Sequence, residues 1–353
     1  MRAVVYIKLT EKVYNEWELL WKRSPNATYA NSPYWFKTIL ECFEYNNYKV
    51  ITLYKNRTLK GVLGLVRIYK YGIGVYTLPP TDHVCGIPFL VDIDDTQSVS
   101  KMYDEILKQG VVYFENMPEY MIDRLKKINS NLHAHPMSVN YHLILQKNSQ
   151  GTADFANRKE LLRRVKKEKE SFTFKSYSGS SVLGLKTVYK IDNISRKQTR
   201  GYNVFADPIM RKFYETLGKI FSTLMRINIL YYQTSPIAYE IGFIAGNRYY
   251  GNQLGFAEEF KNYSPGKVIS AFLGDYLLSK GFREIDFGSG NSHLKHLLTN
   301  TKRKLYVVVL SQNRGSAFYI HHASKMRNIL FDTIEQHKRI YTGYRKMKTL
   351  MHK

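Results

Sequence analysis

Apolar residues run at 229–232 and 237–244 with Gln233-Thr234-Ser235-Pro236 between them, which predicts strand, tight turn, strand. Gly246-Asn247 turns the chain again into Arg248-Tyr249-Tyr250-Gly251-Asn252-Gln253-Leu254, a third strand. After it stands Ser264-Pro265-Gly266-Lys267. Pro265 suits a first helical turn, and Val268, Ala271, Phe272, Tyr276 and Leu277 fall at helical spacing. A further strand closes the stretch at Asp286-Phe287-Gly288-Ser289-Gly290.

The remainder alternates in the same way. Residues 1–8 read as a first strand, and 11–23 as an amphipathic helix with Val13, Trp17, Leu20 and Trp21 on one side. Asn31-Ser32-Pro33 caps a second helix through 44. Strands are expected at 50–54, 59–68, 71–78, 111–114 and 139–145, with helices at 101–109 and 119–128. After a polar stretch at 147–152, a strongly basic helix at 155–170 carries Arg158, Arg163, Arg164, Lys166, Lys167 and Lys169. Then come a strand at 172–177, helices at 180–197 and 208–225, a strand at 305–310 and a basic, helical tail from Ser316. The two halves look alike: laying 51–66 on 229–244, an offset of 178, matches Ile51 with Ile229, Tyr54 with Tyr232 and Gly64 with Gly242. Domains are expected at 1–150 and 151–312, followed by the tail at 313–353.

Composition narrows the class. A chain of 353 residues, 44% hydrophobic and 14% aromatic, buries a large core. Two cysteines, Cys42 and Cys85, support neither a disulfide framework nor a thiolate metal site, and no metal is expected. No apolar run of about 18 residues is present, so the expected location is cytoplasmic, with peripheral attachment to the inner membrane face open. Fifty-three basic against 29 acidic residues give +24, which attracts an anionic membrane face, nucleic acid or a phosphorylated carrier. His133-x-His135 and His293-x-x-His296 lack the further ligands of a zinc site, and the glycines at 179 and 184 do not make a phosphate loop.

Chemistry concentrates in the C-terminal half. Free backbone N–H groups at a helix start beside Ser264, Gly266 and Lys267 form an anion site. Asp286, ending a strand beside two glycines, can take a proton from an amine or cap a helix. Alternation sends Tyr249 and Tyr250 to opposite faces, one to a cleft and one to a core. His293 can exchange protons near neutrality.

In their order, Pro236-Ile237-Ala238, Gly246-x-Arg248-x-Tyr250, Ser264-Pro265-Gly266-Lys267, Asp286-x-Gly288-x-Gly290 and Lys295 resemble the GNAT superfamily of acyltransferases. The resemblance is nearest to its two-lobed branch of CelD-like proteins and more distant to the Fem aminoacyl transferases of cell-wall synthesis. It implies an α/β (α+β) fold of tandem GNAT-like lobes, each a mixed, mostly antiparallel sheet flanked by helices, with a cleft between them. It implies an N-acyltransferase whose donor is acetyl-CoA or another acyl-CoA, acting on an amine such as an amino sugar or amino acid derivative of an envelope polymer. Asp286, Lys295, Tyr250 and Glu240 are then the catalytic candidates. Ser264, Gly266, Lys267, Asn252 and Gln253 would hold the donor, and Asp82, His83, Tyr249 and His293 would meet the acceptor. Leu294 stands where relatives carry a tyrosine, and the loop at 264–267 lacks their run of glycines. An aminoacyl-tRNA donor, reached through the basic helices, and a non-catalytic nucleic-acid-binding protein remain the alternatives.

Overall fold

The computed structural model describes residues 1–79, 89–129, 132–148, 151–155, 157, 171–199, 203–290 and 292–336. The first lobe comprises strands β1 (Arg2–Tyr6), β2 (Tyr48–Lys55), β3 (Thr58–Lys70), β4 (Ile73–Thr77), β5 (Leu90–Val91), β6 (Val112–Pro118) and β7 (His133–Ile144). Its helices are α1 (Glu11–Arg23), α2 (Pro33–Cys42), α3 (Thr96–Leu107) and α4 (Glu119–Ile128). The second lobe has β8 (Phe172–Ser178), β9 (Met225–Tyr232), β10 (Ser235–Ala245), β11 (Arg248–Phe256), β12 (Glu284–Ser289) and β13 (Thr301–Leu310). Its helices are α5 (Val182–Asn193), α6 (Arg196–Thr199), α7 (Pro208–Ile220), α8 (Pro265–Ser279), α9 (His293–Leu298) and α10 (Arg314–Gln336).

One sheet runs through both lobes in the order β1-β2-β3-β4-β6-β13-β7-β12-β11-β10-β9-β8, with β5 paired to β3. The order reads the same from either end. β1–β4 form an antiparallel run, as do β8–β11. β4 then pairs β6 in parallel, as β11 pairs β12. The last strand of each lobe has crossed over: β13 lies against β6, and β7 lies against β12. The lobes are therefore related by a pseudo-twofold through the β13–β7 pair, and each completes the other's sheet.

The register corrects the sequence alignment of the halves. A bulge interrupts β2–β3 next to the Leu53–Gly61 pair, and another interrupts β9–β10 next to the Leu230–Ala238 pair. These equivalent positions differ by 177 (230 − 53 and 238 − 61), not 178. A slip of one residue exchanges the two faces of a strand, so the matches of Ile51 with Ile229, Tyr54 with Tyr232 and Gly64 with Gly242 are not structural equivalents.

Several elements also end differently from the pattern. The helix expected at 180–197 stops at Asn193, where Ile194 takes a non-helical conformation, and a short α6 follows. The helix expected to reach 225 ends at Ile220, and Met225 already opens β9. β7 begins at His133, six residues before the expected start, because the whole of it pairs with β13. The basic helix expected at 155–170 falls outside the described residues except for Phe155 and Asn157, as does the tail beyond Gln336.

The lobes share an aromatic core. Trp17 and Trp21 of α1 and Trp35 and Phe36 of α2 pack with Phe213 of α7, Phe221, and Phe243 of β10. The Tyr29 ring stacks on Phe243 with centroids 4.6 Å apart and meets Tyr250 edge-on at 5.5 Å. First-lobe helices thus press directly on the strands that carry the candidate site. Buried aromatic pairs of this kind contribute about 0.5–1.5 kcal/mol each beyond their area.

Candidate active site

β11 and β12 pair over only three positions, Arg248–Glu284, Tyr249–Ile285 and Tyr250–Asp286. Past Tyr250 they part, β11 running on to Phe256 and β12 to Ser289, and among the described residues no further pair joins them. The divergence has a local cause. Ile241 opposes Gln253 but Gly242 opposes Gly251, so Asn252 is the extra residue of a bulge, which bends its strand and takes backbone out of the ladder. The hydroxyl of Tyr214 on α7 donates to Asn252 Oδ1 and holds the bulge, and Gln253 is buried beside it. The wide end of the wedge faces the start of α8. A Cβ on Gly266 would stand 3.5 Å from Leu254 of β11 and 3.8 Å from Leu294 of α9. Ser264, with φ of +54°, turns the chain into that helix, and Lys267 N–H donates to its carbonyl at 2.9 Å.

Two carboxyl groups reach the apex from opposite faces. Glu240 shares the face of Tyr249. Its Oε2 accepts hydrogen bonds from Asn228 Nδ2 at 2.7 Å and from the Tyr249 hydroxyl. Gly242 makes this possible, since a Cβ there would lie 2.4 Å from the Tyr249 ring. Burial pushes the Glu240 carboxyl up to about 8, against the opposing pull of the Tyr249 and Asn228 hydrogen bonds. Among the described residues its Oε1 has no hydrogen-bond partner, and it stands 3.4 Å from where a Gly251 Cβ would be. The missing side chain of Gly251 leaves room at the apex.

Asp286 shares the face of Tyr250 and looks into the interlobe cleft. Its Oδ1 accepts from Gly288 N–H at 2.7 Å and its Oδ2 from Asn140 Nδ2 at 3.0 Å. Asn140 Nδ2 also lies 2.9 Å from His142 Nε2, so the imidazole proton sits on Nδ1 and goes to Glu284 Oε1 at 2.7 Å. Asn140 and His142 belong to β7, so the crossed-over strand of the first lobe completes the site of the second. Glu284 in turn meets Arg303 at 3.1 Å and Arg248 at 3.2 Å. Burial alone would push the Glu284 carboxyl up. The His142 hydrogen bond and the charges of Arg303 and Arg248 outweigh it and hold that carboxyl below its ordinary value. Burial pushes the Tyr250 hydroxyl up to about 12. Between the lobes these groups enclose a cavity of about 60 Å³, lined also by Asn26, Thr28 and Tyr120. Wider grooves, about 820 Å³ beside α1 and α2 and about 840 Å³ beside α3 and α10, are open surface. Neither borders the wedge.

The other sequence candidates distribute as follows. Tyr250 lines the cleft, whereas Tyr249 is fully buried on the opposite face. Lys295 Nζ donates to the carbonyls of Gly288 at 3.1 Å and of Ser289, bracing the loop that supplies the Gly288 N–H to Asp286. His293 is exposed on the first turn of α9. Asp82 and His83 lie outside the described residues. Sequence reasoning missed Asn140, His142, Glu284 and Arg303. Their signal was polar alternation, Asn140-x-His142 and Glu284-x-Asp286, inside strands otherwise rich in apolar residues.

Residues 157–296, which hold the wedge, both carboxyls and Lys295, match the acetyltransferase (GNAT) domain family. This stretch of the chain is thus similar to GNAT acetyltransferases. The fold is shared with FemX, at 12% identity over 91% of this chain and 100% of that one, with a TM-score of 0.64. It is also similar to the C-terminal domain of an Agrobacterium fabrum protein described as a putative lysylphosphatidylglycerol synthetase, at 9% identity, 88% and 95% coverage and a TM-score of 0.57. L-PGS from Bacillus licheniformis gives 10%, 83% and 97%, and 0.54. At such identities these likenesses establish the fold alone. No curated protein sequence matches the chain. Among the described residues, no group of three or more His, Cys, Asp or Glu is arranged to hold a metal ion, and no helix is long and apolar enough to cross a membrane.

Proposed function

We propose that this protein moves an acyl group from a thioester, acetyl-CoA or another acyl-CoA, to an amine that enters from the interlobe cavity. The observation that carries this reading is the wedge between β11 and β12, with a bulge at Asn252 and a carboxyl on either face of its apex. The acyl thioester lies in the wedge, its phosphates toward Ser264, Gly266 and Lys267 at the start of α8, where helix N–H groups favour anions. The amine attacks the thioester carbonyl carbon, a C–N bond forms, and the C–S bond breaks to release the thiolate. Backbone N–H groups beside the bulge are the donors for the oxyanion. Asp286, held in place by Asn140 and Gly288, positions the amine and takes its proton. Glu240, kept protonated by burial, is the acid on the opposite face that returns a proton to the leaving sulfur.

Titration of acetyl-CoA into the full chain and into Gly266→Glu tests the donor site. Saturable binding lost in the variant supports it. The expected cost of Asp286→Asn is about 100-fold or more in transfer, the usual scale of a positioned base. A second reading, an aminoacyl-tRNA donor, is favoured by the +24 charge and by the likeness of fold to FemX. Salt-dependent binding of aminoacyl-tRNA with no binding of acyl-CoA would favour that donor. RNA binding with no transfer in either assay would leave the non-catalytic alternative.

A further inference from the structure

Resting on the transferase reading, we infer that the acceptor amine carries an anionic group, a carboxylate or a phosphate, which Arg248 and Arg303 bind at the mouth of the interlobe cavity.

The size of the cavity comes first. At about 60 Å³ it admits the amine-bearing end of an acceptor and no more, so the rest of the molecule lies across the mouth. What it meets there is charge. The Arg248 side chain is 46% exposed and the Arg303 side chain 38%, while the carboxylate they share, Glu284, is 8% exposed. Glu284 stands between both guanidiniums, and the cavity's other carboxylate, Asp286, lies further along the strand and makes no ion pair with either. Each guanidinium has five N–H donors in a fixed fork. Arg303 directs one toward Glu284 Oε1, and Arg248 directs its Nε toward Glu284 Oε2 and another donor toward the Tyr250 hydroxyl. Donors remain on both for a ligand oxygen.

The arrangement is also polar along its length. Glu284 and Asp286 are two residues apart on one face of β12, about 7 Å along the strand. The arginines gather at Glu284, while Asp286 is held by Asn140 and the Gly288 N–H. An acceptor with its amine at Asp286 and an anion a few bonds away at the arginines matches both poles. Glu284 orders the arginines and, being bound to His142 as well, does not turn away to release them. A plain Arg–Glu–Arg staple between strands would need no half-exposed arginines beside a cavity lined by a second carboxylate.

Calorimetric titration of the full chain with matched amines tests this: glucosamine against glucosamine 6-phosphate, and lysine amide against lysine, with inorganic phosphate as a separate probe. In at least one pair the anionic member binds about tenfold more tightly or better, the scale of one charge-assisted contact. Arg303→Gln and Arg248→Gln each shrink that preference, and Arg303→Lys restores part of it. The pair that responds tells phosphate from carboxylate. Equal binding within both pairs overturns the inference, and so does a preference that survives both glutamine variants. Inorganic phosphate binding as tightly as the anionic amines overturns it too, since the amine would then contribute nothing. Thioester consumption with neutral amines keeps the two readings apart: transfer without anion preference sinks only the acceptor class. Arginine-dependent binding with no transfer from either donor sinks only the chemistry.

Discussion

The two lobes have one topology and opposite interiors. Aligned at the register the bulges set, Ile51 and Leu63 of the first lobe stand where Asn228 and Glu240 stand in the second, each couple paired across its strands. Further along, Arg67 opposes Tyr76 as Ile244 opposes Tyr249, and Tyr76 pairs Val112 as Tyr249 pairs Ile285. Val75 therefore answers to Arg248 and Tyr113 to Asp286. Val309 opposes Tyr113 as His142 opposes Asp286. Val75, Tyr113 and Val309 are buried together under Ala317 and Ile320 of α10, so the first lobe's cleft is closed by a helix. β4 has no bulge against β3, and its parallel contact with β6 is a single pair. The first lobe thus serves as an internal control. Where the same scaffold carries no chemistry it fills with Ile, Leu, Val and a tyrosine, and the buried Asn228, Glu240, His142 and Asp286 of the second site depart from that pattern.

The largest test makes the second lobe imitate the first. Asn228→Ile with Glu240→Leu removes the bond between these two but leaves the buried Tyr249 hydroxyl without either partner, so stability should fall by about 1–3 kcal/mol. Transfer should fall about 100-fold or more, as expected when a positioned acid is lost. Glu240→Leu alone leaves Asn228 Nδ2 without its carboxylate and should cost about 1–3 kcal/mol. Urea unfolding together with turnover separates the two. A double variant as active as the parent would remove Glu240 from the chemistry.

His142→Val copies Val309 and should do less. Asp286 keeps its bonds from Asn140 and Gly288, while Glu284 loses a hydrogen bond worth about 1–3 kcal/mol when its partner is charged. Turnover should drop about tenfold through looser placement of Asn140, with the donor's affinity unchanged. A loss as large as that of Asp286→Asn would make His142 part of the proton transfer itself.

Glu240 also sets a pH dependence that Leu63 cannot. Its folded value of about 8 lies above the ordinary carboxylate value, so between about pH 4.5 and 8 the unfolded chain has lost a proton that the folded chain keeps. Stability then falls as pH rises through that window. Glu240→Gln should flatten the slope, and parallel unfolding series for the two proteins would show it. Identical slopes would count against a buried neutral acid.

Most of the scaffold was legible in the chain because strand alternation and turn residues are local. The wedge was half legible. Asp286, Tyr250 and the loop at Ser264 lie in one continuous stretch, whereas Asn140 and His142 reach the site only through a strand that crosses between lobes. No local pattern announces such a crossing. The duplication itself was visible, yet an offset of 178 set core residues against core residues of the wrong face. An offset of 177 lays Ile51 on Asn228 and Leu63 on Glu240, and two polar residues then stand out against aliphatic counterparts in the chain itself. One residue of register separated a vague likeness from a prediction of the site.

The smallest effect concerns the helix that closes the first lobe. His135 of β7 and His321 of α10 face each other with Nδ1 atoms 3.3 Å apart, a distance at which only one of the two can carry a proton. Ser324 and Asn328 of α10 sit at the other nitrogen of His135, and His133, His322 and Lys325 are the further basic groups around the pair. Burial, then these neighbouring charges, lower the His321 imidazole to about 4, and burial lowers that of His135. A base with a lowered folded value stabilises docking fully above its ordinary value near 6.5 and loses that contribution as pH falls toward 4. Amide exchange in α10 should therefore quicken relative to β9–β11 across that window, and His321→Gln should remove most of the change. Equal acid sensitivity in α10 and in β9–β11 would mean that the helix is held by Ala317 and Ile320 alone. The closed cleft of the first lobe would then owe nothing to the histidines.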